Sequence, residues 1–371
     1  MTADTEAEKQ AGDDVADLKT AVAGTVTEGD GQTPTIEGDR HAPTTDESAL
    51  QAESEQDFPD DDSAIGDDAA SSTASINSSI MAYRTENGRT YHAFRESINY
   101  VLPNDSSEQE RLDLQHHLFT LTLGGKLYLS PIDTKHLSRA LDAGTGTGVW
   151  AIDFADAHPE TEVIGIDLSP IQPNFLPTNL QFQVDDLEDE WTFTYNFDFI
   201  FARMMTGSIG DFPKFFAQSF NALSPGGWVE CQDITFPAQC DDGTLQKDSY
   251  IEQWSSFMVE ATNKFGRTAE SAKFYKQQMI DAGFVNVTEV VYKWPTNRWP
   301  ADPYYKELGF WCNHNIAGEL SGLSMVLFTR GLGWSPEEVE VFLAKVRTDM
   351  KDKRIHAWWP IHVVYGQKPE A

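Results

Sequence analysis

One run constrains this chain more than any other: Arg139-Ala140-Leu141-Asp142-Ala143-Gly144-Thr145-Gly146-Thr147-Gly148-Val149-Trp150. A short apolar stretch carries an acid, glycines follow at three alternate positions, and a helical pattern opens through Val149, Trp150, Ile152 and Phe154. Glycine permits backbone angles and close approaches that any Cβ would block. The run therefore reads as a strand turning into a helix, over a loop whose backbone passes close under a ligand. Nineteen residues after Gly148, the strand-like Val163-Ile164-Gly165-Ile166 ends in Asp167. A carboxylate there is placed to accept hydrogen bonds from a ribose diol, as in nucleotide-binding crossover units.

The glycine spacing narrows the ligand. A nicotinamide or flavin site would want G-x-G-x-x-G, with its third glycine at position 149. That position is Val149, and the third glycine comes one residue early. The form D-x-G-x-G-x-G is the one used by S-adenosylmethionine (SAM) methyltransferases, whose ligand has no pyrophosphate to cradle. Two later segments fall in register with that reading. Val184-Asp185-Asp186-Leu187 follows a third strand, where such enzymes place an acid against the adenine amino group; Asp186 is the better candidate and Asp185 the next. Phe197-Asp198-Phe199-Ile200-Phe201-Ala202-Arg203 reads as a fourth strand. Ligands of open α/β sheets sit beyond the carboxyl ends of the strands, so Arg203, Met204 and Met205 are expected to line the pocket. The expected cofactor contacts are Asp142, Gly144, Thr145, Gly146, Gly148, Asp167, Leu168, Asp185, Asp186, Leu187 and Arg203. No metal site is expected, since Cys231, Cys240 and Cys312 lack ligand-like spacing.

Strands expected at 139–143, 162–167, 180–184, 197–202 and 226–232 alternate with helices at 148–157, near 170–174 and at 211–223. That order implies a doubly wound α/β fold. A helix over 269–282, a strand from Val285 to Trp294, a mostly helical 300–348 and a final strand from Trp358 to Tyr365 complete it. Upstream, Asn87-Gly88 suggests a hairpin. Asp105-Ser106-Ser107-Glu108 offers caps for a helix over 105–123, whose apolar face would comprise Leu112, Leu114, His117, Leu118, Leu121 and Leu123. This helix and its extension to 130 would form a cap over the domain of 81–371, and 300–348 an insertion or lid, closing an acceptor site or making a homodimer contact.

Residues 1–80 differ in kind, with 20 Asp plus Glu against 3 Lys plus Arg and Phe58 as their one aromatic. Such a segment buries too little apolar surface to offset the entropy of ordering, so a disordered acidic tail is expected. The remainder is also acidic, 39 against 24, which argues against a nucleic-acid ligand, whose phosphates want clustered Lys and Arg. No apolar run resembles a signal peptide or a membrane span, so a soluble intracellular protein is expected.

At these motifs the sequence resembles the methyltransferases of filamentous fungi related to LaeA. The resemblance rests on Leu141 through Ala155, on Ile166-Asp167-Leu168-Ser169-Pro170-Ile171-Gln172-Pro173 and on Gly207-Ser208-Ile209-Gly210-Asp211-Phe212-Pro213. Asn87-Gly88-Arg89-Thr90-Tyr91-His92 and Asp113-Leu114-Gln115-His116-His117 extend it over roughly 81–371. It implies a Rossmann-like class I methyltransferase, with a mostly parallel seven-stranded sheet, helices on both faces and an antiparallel last strand. The group holds two kinds of member. Some are cytoplasmic enzymes that methylate O, N or C of a small product of secondary metabolism. Others are nuclear regulators that associate with velvet-type proteins. The first kind is the reading adopted, as a relative of the regulator; the second stays open.

Methyl transfer from a sulfonium needs a general base only if the acceptor must lose a proton. Candidates are His116 or His117, which cannot share one helix face, and Glu230 or Asp233 after the fifth strand. Tyr91, Tyr128, Trp254 and Trp299, with Met204 and Met205, are candidates for the acceptor pocket.

Overall fold

The computed structural model describes residues 83–94 and 100–370; the expected acidic tail lies outside them. The glycine loop sits at the centre of the fold because the strand leading into it is central. β3 (Arg139–Ala143) runs parallel between β4 (Glu162–Asp167) and β6 (Phe197–Arg203), with β5 (Leu180–Val184) outside β4 and β7 (Leu223–Ile234) outside β6. The near-continuous apolar sequences of β3, β4 and β6 follow from their being covered on both faces. β10 (Ala357–Gln367) pairs antiparallel with β7 on one side and with β9 (Val285–Pro295) on the other. The two-residue β8 (Gln239–Cys240) meets β10 beyond the end of β7. The mostly parallel sheet with an antiparallel last strand is therefore present. A short hairpin, β1 (Arg84–Glu86) with β2 (Arg89–Tyr91), turns at Asn87-Gly88, both with positive φ.

α2 (Val149–Ala157) starts at Gly148 and turns Trp150 and Phe154 onto the sheet. There Trp150 lies 3.8 Å from the Phe201 ring, at an interplanar angle of 4°. α3 (Phe212–Ala222) and α5 (Tyr275–Asp281) cover the other side of the core, with Phe212, Phe215, Phe216 and Tyr275 buried together. A third cluster joins α4 (Tyr250–Lys264) to the C-terminal helices α6 (Pro303–Ala317), α7 (Leu320–Val326) and α8 (Pro336–Lys351), through Trp254, Phe328 and Trp359. No helix among the described residues is long and apolar enough to cross a membrane.

Four local expectations differ. The 170–174 segment is irregular, because Pro170, Pro173 and Pro177 withhold amide donors. The 269–282 helix divides into a 3-10 turn, Ser271–Phe274, and α5. α4 had no counterpart in the sequence reading, although Ile251, Trp254, Ser255, Met258, Ala261 and Thr262 are buried at helical spacing. α1 (Ser106–Thr122) forms with Asp105 as its cap, but buries Glu108, Arg111, Gln115, His116, Leu118, Phe119 and Thr122, leaving His117 exposed. Its inward face is largely polar because it covers a cavity.

Candidate functional site

That cavity, about 190 Å³, opens at the carboxyl ends of β3, β4 and β6. One end is walled by Asp142, Gly144, Thr145, Gly146, Asp167, Leu168, Asp185, Asp186, Leu187 and Arg203. The other is walled mainly by Ile234, Phe236, Met258, Ile316, Leu323 and Leu327, from the end of β7 and the residues after it, from the helix over Tyr250–Lys264 and from the C-terminal helices. α1 roofs both ends with Glu108, Arg111, Leu112 and Gln115.

The glycines do different work. Gly146 has φ 58°, and a Cβ there would stand 3.4 Å from Leu112 Cδ1, so a side chain would fill the gap between loop and roof. Gly148, at φ 82°, is off the cavity; a Cβ would strike the Phe182 ring, so this glycine lets helix and sheet close together. Asp167 binds the loop from the side: its carboxylate accepts from Gly146 N at 2.8 Å and Ser169 N at 3.0 Å. Burial pushes it up to about 6, against those hydrogen bonds. Asp142 lies beneath, 2% exposed, accepting from Thr145 Oγ1 at 2.6 Å. Burial pushes it up to about 7, opposed by that bond and by the Arg203 guanidinium. Thr147 Oγ1 donates to Asp113 at 2.8 Å and ties the loop to α1.

Arg203 is held from behind. Its Nη2 donates to His116 Nδ1 at 3.0 Å, and His116 Nε2 meets Asp153 Oδ2 at 2.9 Å. A histidine that accepts at Nδ1 and donates at Nε2 is neutral; burial, the largest influence, also lowers its pKa. Enclosure lowers Arg203 to about 10. The guanidinium stands 5.1 Å from the Phe119 ring centroid and borders the cavity.

The four base candidates are not on the cavity wall. His116 is committed to Arg203 and Asp153. His117 points outward onto Trp311. Glu230 is buried, accepting from Leu129 N, Ser130 N, Ser130 Oγ and Gln232 Nε2, and so anchors the chain between α1 and β3. Asp233 accepts from Thr206 N at 2.9 Å and Tyr275 OH at 2.8 Å. It pins the turn that carries Met204 at φ 56° into the cavity wall, and burial pushes its carboxyl up to about 7.

Of the expected acceptor-pocket residues, Met204 and Met205 line the cavity. Tyr91 is core, Tyr128 packs on Phe154 and Phe199, Trp254 donates to Ser324, and Trp299 donates to Ala357 O beside His356. Large aromatics are core material first. Within 300–348, Leu323 reaches the cavity, while Met325 and Phe328 are buried in the core. Glu108, Arg111, Gln115 and Asn315 were missed; for the first three, polar residues recurring at helical spacing on α1 were the available signal.

A methyltransferase-domain model matches residues 114–289, which hold the glycine loop and β3 through β7. The chain is 40% identical over 303 residues to methyltransferase pytC of Aspergillus terreus, covering 81% of this chain and 93% of that one. It is 36% identical over 293 residues to the probable methyltransferase tdiE of Emericella nidulans, covering 79% and 91%. The chain belongs to the LaeA-like fungal methyltransferases. This family also includes a protein named for regulation: the secondary metabolism regulator laeA of Aspergillus fumisynnematus is 35% identical over 312 residues, covering 83% of each chain. The protein is thus a SAM-dependent methyltransferase. The bare glycine wall beside Gly146 and the enclosed Asp167 carboxylate fit a nucleoside with a diol.

Proposed function

We propose that the glycine-loop end of the cavity holds SAM and the apolar end holds a small, largely apolar acceptor of fungal secondary metabolism, methylated at O, N or C. The observation that carries this reading is that both ends belong to one cavity under one roof. In this assignment Asp167 accepts the ribose hydroxyls. Asp186, less exposed than Asp185, faces the adenine amino group, and Leu168 and Leu187 flank the base. Arg203, backed by His116, offers its remaining donors to the cofactor's carboxylate.

The cofactor supplies a methyl group activated by a sulfonium. The residues supply alignment and the exclusion of water. Among the described residues, the carboxylates nearest the reacting space are already engaged: Glu108 by Arg111, Asp142 by Thr145, and Asp167 by two amides. The acceptor therefore enters with its nucleophilic atom ready, or loses its proton to water. Methyl-labelled SAM incubated with the protein, an organic extract of a fungal culture and histones tests the reading. Label in the organic fraction is expected. Label found on protein alone would favour the second reading, a regulatory methyltransferase acting through a protein partner, to which the likeness to the laeA regulators lends support.

A further inference from the structure

The roof of the cavity holds a buried amide nitrogen that nothing in the described protein satisfies. Gln115, on the inward face of α1, is 3% exposed and borders the cavity, yet its side-chain nitrogen has no hydrogen-bond partner among the described residues. The charged pair on the same face of α1 is engaged with itself. Arg111 grips both oxygens of Glu108, at 2.8 and 2.7 Å, and donates from its other terminal nitrogen to Asn315 Oδ1 at 2.9 Å. Acid and base there cancel. Ile234, Phe236, Met258, Ile316, Leu323 and Leu327 give the same cavity an apolar stretch of lining, beside a few polar groups such as Tyr100 and Thr262. Buried polar groups in folded proteins are nearly always paired, and one left alone lowers stability. An apolar side chain of the same size would serve the fold better.

We infer that Gln115 recognises the methyl acceptor, by donating its amide N–H to a neutral carbonyl oxygen on an otherwise apolar molecule. The inference rests on the acceptor assignment made for this cavity and adds the acceptor's chemical class. A carboxylate is disfavoured because Glu108 already occupies Arg111. An ammonium is disfavoured because Glu108 has no free charge to offer it. A carbonyl needs only the one donor present.

The test uses the full chain saturated with S-adenosylhomocysteine and a matched pair of probes, 4-hydroxyacetophenone and 4-ethylphenol, which differ in the ketone oxygen. Ligand-observed NMR titration should give the ketone about tenfold tighter binding, the scale of one well-placed hydrogen bond to a buried donor. In Gln115→Met the preference should vanish, while SAM affinity stays within about twofold and the melting temperature rises, as relief of an unpaired amide requires. Wild type that does not discriminate the pair, or Gln115→Met that still does, overturns the inference. So does a drop in SAM affinity with Gln115→Met, which would assign the amide to the cofactor. Failure of the wild type to bind SAM at all would instead strike the reading on which the inference rests.

Discussion

Removing the His116 side chain should cost most of what it contributes through Arg203, and almost nothing through Asp153. The guanidinium is enclosed, and its Nη2 has His116 Nδ1 as acceptor at 3.0 Å. A hydrogen bond to a charged group contributes about 1.5–3 kcal/mol, and stranding the donor costs about 1–3 kcal/mol. Asp153 is different: its side chain is 50% exposed, so water replaces His116 there and Asp153→Asn should change stability by under about 0.5 kcal/mol. The assay is a double-mutant cycle of wild type, His116→Ala, Arg203→Met and the double variant, by urea unfolding at pH 7.5, where His116 is neutral. Arg203→Met removes the stranded cation, so the double variant should be more stable than the two single losses predict. We expect a coupling of about 1.5–3 kcal/mol. His116→Asn, whose Oδ1 can replace Nδ1 as acceptor, should recover much of it. Single effects that add within about 0.5 kcal/mol would refute the picture of Arg203 as a cation held from behind.

Two further outcomes follow from buried carboxylates. Asp167 must be ionised to accept from a diol, and burial raises it to about 6. SAM affinity should therefore hold above pH 7 and fall as pH drops through about 6, by up to about tenfold per unit; calorimetry showing constant affinity down to pH 5 would contradict the assignment. Glu230→Gln swaps an acceptor oxygen for a donor facing the amides of Leu129 and Ser130. It should lower stability by about 1–3 kcal/mol in chemical unfolding while leaving SAM affinity unchanged; lost affinity at full stability would make Glu230 a functional group after all.

What was legible in the sequence was what depends on local backbone. The loop at Gly144 and Gly146, the carboxylate at the end of β4 and the strand order could be read because glycine spacing and strand ends constrain the chain nearby. Even there, Gly148 was assigned to the ligand and turned out to make room for Phe182, a residue 34 positions away. Direction across the fold was not legible. Glu230 and Asp233 stand at a strand end where acids often serve catalysis, but whether a carboxylate meets a cavity or a backbone amide is decided by distant segments, here 127–130 and Thr206. α1 was given an apolar inward face because amphipathic helices usually cover a core. This one covers a cavity, so Glu108, Arg111 and Gln115 turned inward and His117 outward.

The central claim is that the cavity beside the glycine loop holds SAM through Asp167 and the bare backbone at Gly146. Calorimetric titration of SAM into wild type, Asp167→Ala and Gly146→Val, each first shown to be folded by circular dichroism, tests it most directly. Micromolar binding by the wild type, lost in both variants, is the predicted result. A wild type that does not bind, or folded variants that bind as tightly as it does, would contradict the account.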